Sequence, residues 1–597
     1  MCGLLGEFCW NSEVKPLSLN LLQHRGPDAQ GTWISSDRHC WLGHTRLSIQ
    51  DVSNAGSQPI QSHCGRFILI FNGEIYNHLQ LRAGLRFNAW NGHSDSETLV
   101  EALAQRGPAS IIDFHGMFAF AAYDSLKRQL LLARDRLGIK PLYVLSHAHG
   151  IRFASERTAL TYGDDLSPDI IANVLSWGHL PTPVSFEPQI GSCQIFPAGT
   201  IARVNFDQSI DPVRYWPPQP RPAWTPLPIS NYKRCKQFVR DQIVSSVSSH
   251  LLSDVPIATF LSSGLDSGIL TALASRLSSS QLRSFTVVFP GEAEDEGALA
   301  RKMAHHCGTE HHEISLTEDE ILDAIHSGLS RLDIPTADAL NIYLVSQFAA
   351  QAGIKVALSG LGADELFGGY PSHRWTAILR LLGYLPCQVR SNILSCINPK
   401  LAAKLHGLPS WDIELITLAC RRWFSDADLL SAGLNPVSWP SIPPVRVNSG
   451  WARTTWSELF GYTEPMLLRD SDVMTMSFGL ELRVPFLDHH VVETALRIPR
   501  RFHSHGKSLL RETFADLFPS ELLNVPKRGF SLPMNSWLKG PLRGLCDHHL
   551  NCLKDSTMIN SSWVDQQWTL FEHNRLHWTR IWSLVVLGEF TARKPVI

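Results

Sequence analysis

Two stretches of the sequence hold residues that could do chemistry. The first is the start. Cys2 follows the initiator methionine directly, and a small side chain there permits removal of that methionine. The exposed cysteine would carry a thiol and a free α-amine. Such an amine has an ordinary pKa of about 8, so it can take the thiol proton within one residue. Nucleophile and base then arrive together. Cysteine in second place also arises by chance, and alone it proves nothing. The second stretch is Thr259-Phe260-Leu261-Ser262-Ser263-Gly264-Leu265-Asp266-Ser267. Its serines offer hydroxyls, and Asp266 offers a carboxylate for a magnesium ion.

These residues need elements to position them. Val255 to Leu261 is an apolar run that reads as a short buried strand. After the loop, Ile269, Leu270, Leu273 and Leu277 fall near helical spacing. Strand, small polar loop and helix start form a phosphate cradle, because free N–H groups and the positive helix end face the loop. Gly264 lets the backbone approach a ligand. The Gly-Lys-Ser/Thr ending of a Walker loop is absent. An ordinary strand-to-helix turn with a Ser/Asp cap is the alternative reading.

The 597 residues allow about three to four domain-sized units, or two large ones. A net charge of −2 gives no reason to expect nucleic acid or an anionic membrane as partner. No window approaches about 18 uninterrupted apolar residues. The start of the chain does not read as a secretory signal, and the twelve cysteines lack a CxxC pair. They read as reduced, mostly core thiols of a cytoplasmic protein. Pro212 to Pro228 reads as a stiff extended linker, and the domain boundary is expected there.

Before that linker, the pattern is sheet-rich α+β. Arg66–Phe71 reads as a strand ending in a turn at Asn72-Gly73, and Phe118–Asp124 with Gln129–Arg134 as a hairpin. Ser94 to Gln105 reads as a helix capped by Ser94. After it, strands alternate with helices, which argues for a parallel α/β sheet with ligands at the carboxyl ends of its strands. Ser230–Leu252 reads as a helix with Phe238, Ile243 and Val247 as an incomplete apolar stripe. The strands are expected at Ser284–Phe289 and Lys355–Gly360, with a helix over Glu296–Cys307.

The loop Ser262–Ser267 resembles the pyrophosphate loop of the ATP pyrophosphatases. The segments His24–Asp28, His44–Ile49, Asn72–Asn77, Ser94–Glu97 and Gly116–Phe120 occur in order, and with Cys2 they resemble the class II glutamine amidotransferase domain. That resemblance implies an N-terminal-nucleophile fold of two stacked sheets between helix layers. It implies that Cys2 attacks the glutamine amide and that the Asn72 side chain and Gly73 N–H form the oxyanion hole. Arg46, Leu47, Ser48, Ile49, Gln50, Asn72, Gly73, Glu74 and Asp95 would hold the glutamine. His24 and Arg25 either brace a loop near the nucleophile or touch it. Asp135 reads as a turn and ion-pair residue.

Ser262–Ser267, Ser359–Tyr370, Glu481–Asp488 and Lys527–Phe530 resemble the glutamine-hydrolysing asparagine synthetases. The implied layout is an amidotransferase domain at 2–210, a Pro-rich linker at 211–229 and an ATP-pyrophosphatase-type α/β synthetase domain at 230–597. Phe260, Leu261, Ser262, Ser263, Gly264, Leu265, Asp266, Ser267, Val287, Ser359 and Gly360 would bind ATP. Asp266 and Asp364 would bind Mg²⁺, and Lys527 would steady the pyrophosphate, unless it is a solvated surface lysine. Residues 375–455 match least and read only as helical.

The implied reaction hydrolyses glutamine at Cys2 and passes ammonia to an acyl-adenylate made from aspartate and ATP. The small-molecule partners are then glutamine, ATP and a carboxylate, and the resemblance leaves room for a homodimer. One residue departs. Relatives commonly carry Ser-Gly-Glu-Gly where this chain has Ser359-Gly360-Leu361-Gly362. Leucine can neither accept a proton nor hold an ammonium group. That keeps open a related enzyme that amidates another carboxylate, such as a sugar acid. A degenerate glutamine-binding regulatory protein is the reading from a different class. His305, His306, His311 and His312 lack zinc-like spacing. Trp451, Trp456, Trp578 and Trp582 read as core or partner surface.

Overall fold

The structure is a computed structural model and describes residues 2–161, 166–187, 189–217, 224–289, 295–447, 449–504, 506–523 and 532–593. Lys527 lies outside these. Two six-stranded antiparallel sheets form the first half. One runs in the order Cys193–Ile195, Tyr143–His147, Gly150–Ala154, Gly3–Cys9, Cys40–Arg46 and Ala29–Ile34. The other runs Ile210–Arg214, Thr200–Val204, Gln129–Arg134, Gly116–Asp124, Phe67–Ile75 and Ile60–Gln61. Alternate side chains of both sheets, among them Leu4, Phe8, Leu42, Ile68, Ile70, Ala121 and Leu132, bury one another between the layers. The opposite face of the second sheet, with Leu69, Phe71 and Phe120, packs under the helix Asp95–Arg106. This is the stacked-sheet N-terminal-nucleophile architecture that the motifs imply.

The expected hairpin Phe118–Asp124 with Gln129–Arg134 is present. The expected turn at Asn72-Gly73 is not. The strand Phe67–Ile75 runs straight through it, pairing Asn72 with Ala119 and Gly73 with Phe118. Gly73 has φ +152°, and a Cβ there would lie 2.1 Å from the Met117 carbonyl oxygen. The glycine serves close strand approach, not chain reversal. Ser94 caps its helix as expected, accepting from the Glu97 N–H, while Glu97 accepts from Asn91 and Gly92 N–H groups.

The proline-rich stretch is also not a free linker. Pro212 lies in the sheet-edge strand Ile210–Arg214, where the missing N–H costs least. Trp216 and Trp224 are buried and stack on each other and on Trp456 of the second half. Burial of these indoles outweighs the solvated extended state that prolines favour.

The second half holds a five-stranded parallel sheet in the order Glu310–Ser315, Arg283–Val288, Ile257–Phe260, Val356–Leu358, Glu481–Arg483. From the first strand, Ile257–Phe260, the chain builds outward on one side and then returns to the other. The sheet therefore has a switch point between Ile257–Phe260 and Val356–Leu358, where such sheets leave a crevice for ligands. Helix Leu265–Leu277 packs one face and Leu340–Gln351 the other. The helix Tyr232–His250 buries Cys235, Val239, Ile243 and Val247, whereas Phe238 is 36% exposed. The stripe follows a strict four-residue step, which Phe238 misses.

Residues 375–455 are helical in large part, in helices such as Ser372–Leu382, Cys387–Ile397 and Ile413–Arg421, but residues 434–446 form no helix. The tryptophans 451, 456 and 582 are core. The cysteines are free, but five of twelve are buried and Cys64, Cys387 and Cys396 are exposed, fewer core thiols than expected. None of the helices is long and apolar enough to cross a membrane among the described residues.

Candidate active sites

Cys2 sits at the mouth of the first strand, whose Gly3 pairs with Thr45, so Arg46 lies next to it across the sheet. The other sheet brings Asn72 to face it. The Cys2 backbone nitrogen donates to Asn72 Oδ1 at 3.0 Å, and its carbonyl accepts from Arg25 Nε at 3.2 Å. Burial pushes the thiol pKa up, while the Leu47 backbone N–H pulls it down in part. A buried protonated thiol needs a base, and the α-amine freed by methionine removal would be the nearest. Asn72 Nδ2 is buried and lacks a hydrogen-bond partner. An orphaned donor is costly unless something fills it, so this N–H group points to a ligand oxygen.

Arg46, Ser48, Gln50, Glu74 and Asp95, expected around the glutamine, are each held by hydrogen bonds. Arg46 donates to the carbonyls of Ser53, at 2.7 Å, and Asp51. The Ser48 N–H donates to Asp28 and the Ile75 N–H to Asp95 at 2.8 Å. Gln50 donates to Glu74, which lies 3.2 Å from the fully buried Arg483. Burial, then the repulsion of Glu481, holds the Asp95 carboxyl up at about 6. Leu47 and Ile49 turn away and pack on Val356 and Met476 of the second half.

Arg25 braces the nucleophile. Its guanidinium is fully buried and pairs with Glu156 at 2.8 Å and with Asp472 of the second half at 2.7 Å. Burial raises the Glu156 pKa, but His24 and Arg25 outweigh it and hold the carboxyl at about 2. Asp135 is a turn residue, as expected. It accepts from the Phe118, Leu137, Ile139 and Lys140 N–H groups, so backbone bonds and not an ion pair carry its role.

A cavity of about 640 Å³ opens at the switch point of the parallel sheet. All eleven expected ATP residues, Phe260 through Ser267, Val287, Ser359 and Gly360, line it together with Asp364. Inside the loop, Ser262 and Ser267 hydroxyls meet at 2.8 Å and the Gly264 N–H donates to Ser262 Oγ. The Ser263 N–H donates to the buried Glu296 at 3.0 Å.

Lys507 is the residue that sequence reasoning missed. It is buried, and its ammonium lies between Asp266 and Asp364, 2.6 Å from the latter. Gly369 makes room for this clamp, since a Cβ there would meet Asp364 Oδ1 at 1.6 Å and Lys507 Cε at 2.6 Å. The chain around Lys507, Gly506-Lys507-Ser508, carries a single glycine just before a helix, the one signal that could have drawn attention to it.

Beyond the loop the cavity wall is acidic. Asp338, Glu365 and Asp470 line it with Tyr370, Tyr462 and Leu361. Burial raises Asp338 to about 6, and burial with Asp364 raises Glu365 to about 7. Burial, then the charge of Asp338, raises Asp470 to about 8, although the Thr336 hydroxyl donates to it at 2.6 Å. Tyr370 donates to Glu365 at 3.0 Å, and the Arg421 guanidinium lies 3.9 and 4.0 Å over the rings of Tyr370 and Tyr462.

One helical rod joins the two sites. Helix Gly450–Glu458 runs into a wide-turned π-helical stretch, Leu459–Leu468, and then into Arg469–Met476. Pro465 lies in the widened part, where its missing N–H is tolerated. Tyr462 and Asp470 face the cavity, while Glu464 pairs with Arg134 at 2.8 Å and Asp472 with Arg25.

With this geometry in hand, comparison with known proteins is decisive. The glutamine amidotransferase domain model matches residues 1–216, and the asparagine synthase model matches residues 238–592. The chain belongs to the asparagine synthase family. A putative glutamine-hydrolysing asparagine synthetase of Mycobacterium tuberculosis is 32% identical, over 87% of this chain and 84% of that protein. Asparagine synthetase 1 of Bacillus subtilis is 29% identical, over 91% and 88%. A Gibberella zeae protein named amidase chry2 is 28% identical, over 88% and 86%. Family membership makes the chain an ATP-dependent ligase that takes its nitrogen from glutamine.

Proposed function

We propose that this chain makes asparagine from aspartate, with Cys2 as nucleophile of the glutaminase step and the switch-point cavity as the adenylating site. The layout of this reading is an amidotransferase part over 2–210, a connection over 211–229 and a synthetase part over 230–597. The observation that carries it is the convergence of the Ser262–Ser267 loop, Ser359-Gly360 and Asp364 on one cavity, clamped by Lys507.

Cys2 Sγ attacks the glutamine amide carbon after passing its proton to the freed α-amine, which hands that proton to the departing amide nitrogen. Negative charge on the amide oxygen is met by Asn72 Nδ2 and the Gly73 N–H, and collapse releases ammonia and leaves a thioester that water hydrolyses. Arg46, Ser48, Gln50 and Glu74 form the pocket around the substrate with their side chains, Leu47 and Ile49 with their main chain, and Asp95 faces its ammonium. In the second cavity, Phe260, Leu261, Val287, Ser359 and Gly360 hold the adenosine, and Ser262 to Ser267 hold the phosphates. The substrate carboxylate attacks the α-phosphorus, and pyrophosphate leaves. Ammonia then attacks the acyl carbon and displaces AMP.

Two carboxylates that already share a cation, the Lys507 ammonium, suit a divalent ion. Asp266 and Asp364 would hold Mg²⁺, which supplies charge neutralisation on the phosphates. Lys507, released from the carboxylates, can turn to the departing pyrophosphate as a point charge. Lys527 is assigned the same task, on motif alone.

A second reading is favoured by the acidic wall and by Leu361. An acceptor other than aspartate, with hydroxyl or amine groups facing Asp338, Asp470 and Glu365, would suit that wall. The test is product identification by mass spectrometry with ATP, amide-labelled glutamine and a panel of carboxylates. Labelled asparagine as the sole amidated product supports the first reading. A different amide with no asparagine supports the second, and glutamine binding without pyrophosphate release sinks both.

A further inference from the structure

Three histidines meet where the two halves of the chain touch, away from both sites described above. His115 directly precedes the strand Gly116–Asp124 of the first half. Its backbone is pinned, since its carbonyl accepts from the Tyr76 N–H and its N–H donates to Asn77. His489 and His490 open the helix His489–Arg497 of the second half, and Asp488 caps that helix by accepting from the His490 N–H at 2.8 Å. The ring centroids of His115 lie 4.8 and 4.7 Å from those of His489 and His490, which are themselves 3.9 Å apart.

We propose that His115, His489 and His490 form a site for a divalent transition metal of the zinc class that ties the amidotransferase half to the synthetase half. One donor atom from each ring lies within 4.8 Å of the other two. His115 Nδ1 and His490 Nε2 are 3.4 Å apart. Zinc–imidazole bonds of about 2.0–2.1 Å in a tetrahedron set ligand atoms about 3.3–3.4 Å apart, so this edge already has the required length. The remaining edges need at most about 1.5 Å of contraction toward that spacing. His490 is exposed and can supply much of it by side-chain rotation, and its exposure leaves the fourth position to water.

The chemistry of the surroundings agrees. The Asp488 carboxylate, 3.8 Å from His489 Nδ1, compensates the positive ion. Arg136 lines the same small cavity as Asp488 and His489 and works against a cation. Its guanidinium is spent on the carbonyls of Phe114 and Ile112. Three imidazoles without a thiolate suit zinc, copper or nickel rather than calcium or magnesium.

The test uses the full chain, stripped with chelator and titrated calorimetrically with Zn²⁺ alone, then with Co²⁺ read by its visible ligand-field bands. Exposed histidines such as His305 and His306 bind metal weakly everywhere, so the comparison is with variants. The parent is expected to bind one tight equivalent and to melt at a higher temperature with Zn²⁺. His490→Ala, at an exposed position that should fold, and the double variant His115→Ala/His490→Ala are expected to lose that equivalent, with affinity down at least about 100-fold. His490→Cys, which offers another ligand, should keep it. Equal tight binding by parent and double variant, or no tight equivalent in the parent, would overturn the site.

Discussion

The glutamine pocket and the nucleotide cavity are built by opposite means. Around Cys2, the charged groups have fixed partners at rest. Arg46 is held by two backbone carbonyls, Arg25 by two carboxylates and Asp95 by a backbone N–H. One donor, Asn72 Nδ2, is left over for a ligand. The cavity of the second half is the reverse. Its walls carry Asp338, Glu365 and Asp470, which burial drives toward the protonated form as it does Asp95, and the Lys507 ammonium is shared by Asp266 and Asp364. A site that stabilises one oxyanion gains from donors fixed in advance. A site that must admit a polyphosphate with its metal, and then release it, gains from countercharge that can be exchanged.

The sharpest break of this comparison is Cys2→Ala. Glutamine-dependent amide formation should fall by more than about a thousandfold, because the covalent route is gone. Ammonia-dependent formation should stay near the parent level, since the cavity is untouched. Equal loss of both in a folded variant would mean that the two sites do not work as separate units.

Lys507→Met probes the other side. Loss of the shared cation should lower pyrophosphate release by about a hundredfold or more with either nitrogen source, the cost of one fixed electrostatic group near developing charge. Glutaminase turnover, measured as glutamate release without ATP, should change less than about twofold. A matching fall in glutaminase turnover would refute the idea that the exchangeable countercharge belongs to the second cavity alone.

The same contrast explains what was legible beforehand. The proposed glutamine pocket is written in contiguous runs, such as Arg46 to Gln50 and Asn72 to Glu74, because neighbouring residues on a few strands would make it. The phosphate loop is likewise one run. The acidic wall is not: Asp338, Glu365 and the rod carrying Tyr462 and Asp470 are three separate segments, and Arg421 reaches the rings of Tyr370 and Tyr462 from a helix that carried no recognisable pattern. Lys507 sits 241 residues from Asp266, so only the fold makes them partners. Asn72-Gly73 misled for the opposite reason. A strong local turn signal was overruled by nine residue pairs with the strand Gly116–Asp124, as tertiary pairing overrules propensity. The proline-rich stretch was overruled by burial of Trp216 and Trp224.

The contact between the two halves shares the character of the first site, with buried charges fully paired. Arg25→Met tests this. It leaves Glu156 with His24 alone and Asp472 with Lys140 at 3.5 Å, so the loss should stay at or below the ~3–5 kcal/mol usual for breaking a buried pair. Chemical denaturation of parent and variant near pH 7 measures it. Arg25 also holds the Cys2 carbonyl, so glutaminase activity should fall along with stability. A stable variant with an intact thiol site would mean that the rod Gly450–Met476 is positioned by other contacts, such as Arg134 with Glu464.

Asp470→Asn gives the smallest effect and the finest distinction. The carboxyl of Asp470 is raised to about 8 in the fold against an ordinary 3.8, chiefly by burial. The folded protein therefore holds this proton where the unfolded chain has lost it. Stability from this group is present below the ordinary value and drains away as pH climbs toward about 8. Asparagine can still accept from the Thr336 hydroxyl and has no charge to bury. The variant should match the parent near pH 4 and become the more stable of the two as pH rises, by about 1–3 kcal/mol at pH 8. Melting both proteins across that range reads the difference directly. A gap that does not widen with pH would mean that Asp470 is ionised and paired in the free enzyme, and the second cavity would then be compensated at rest like the first.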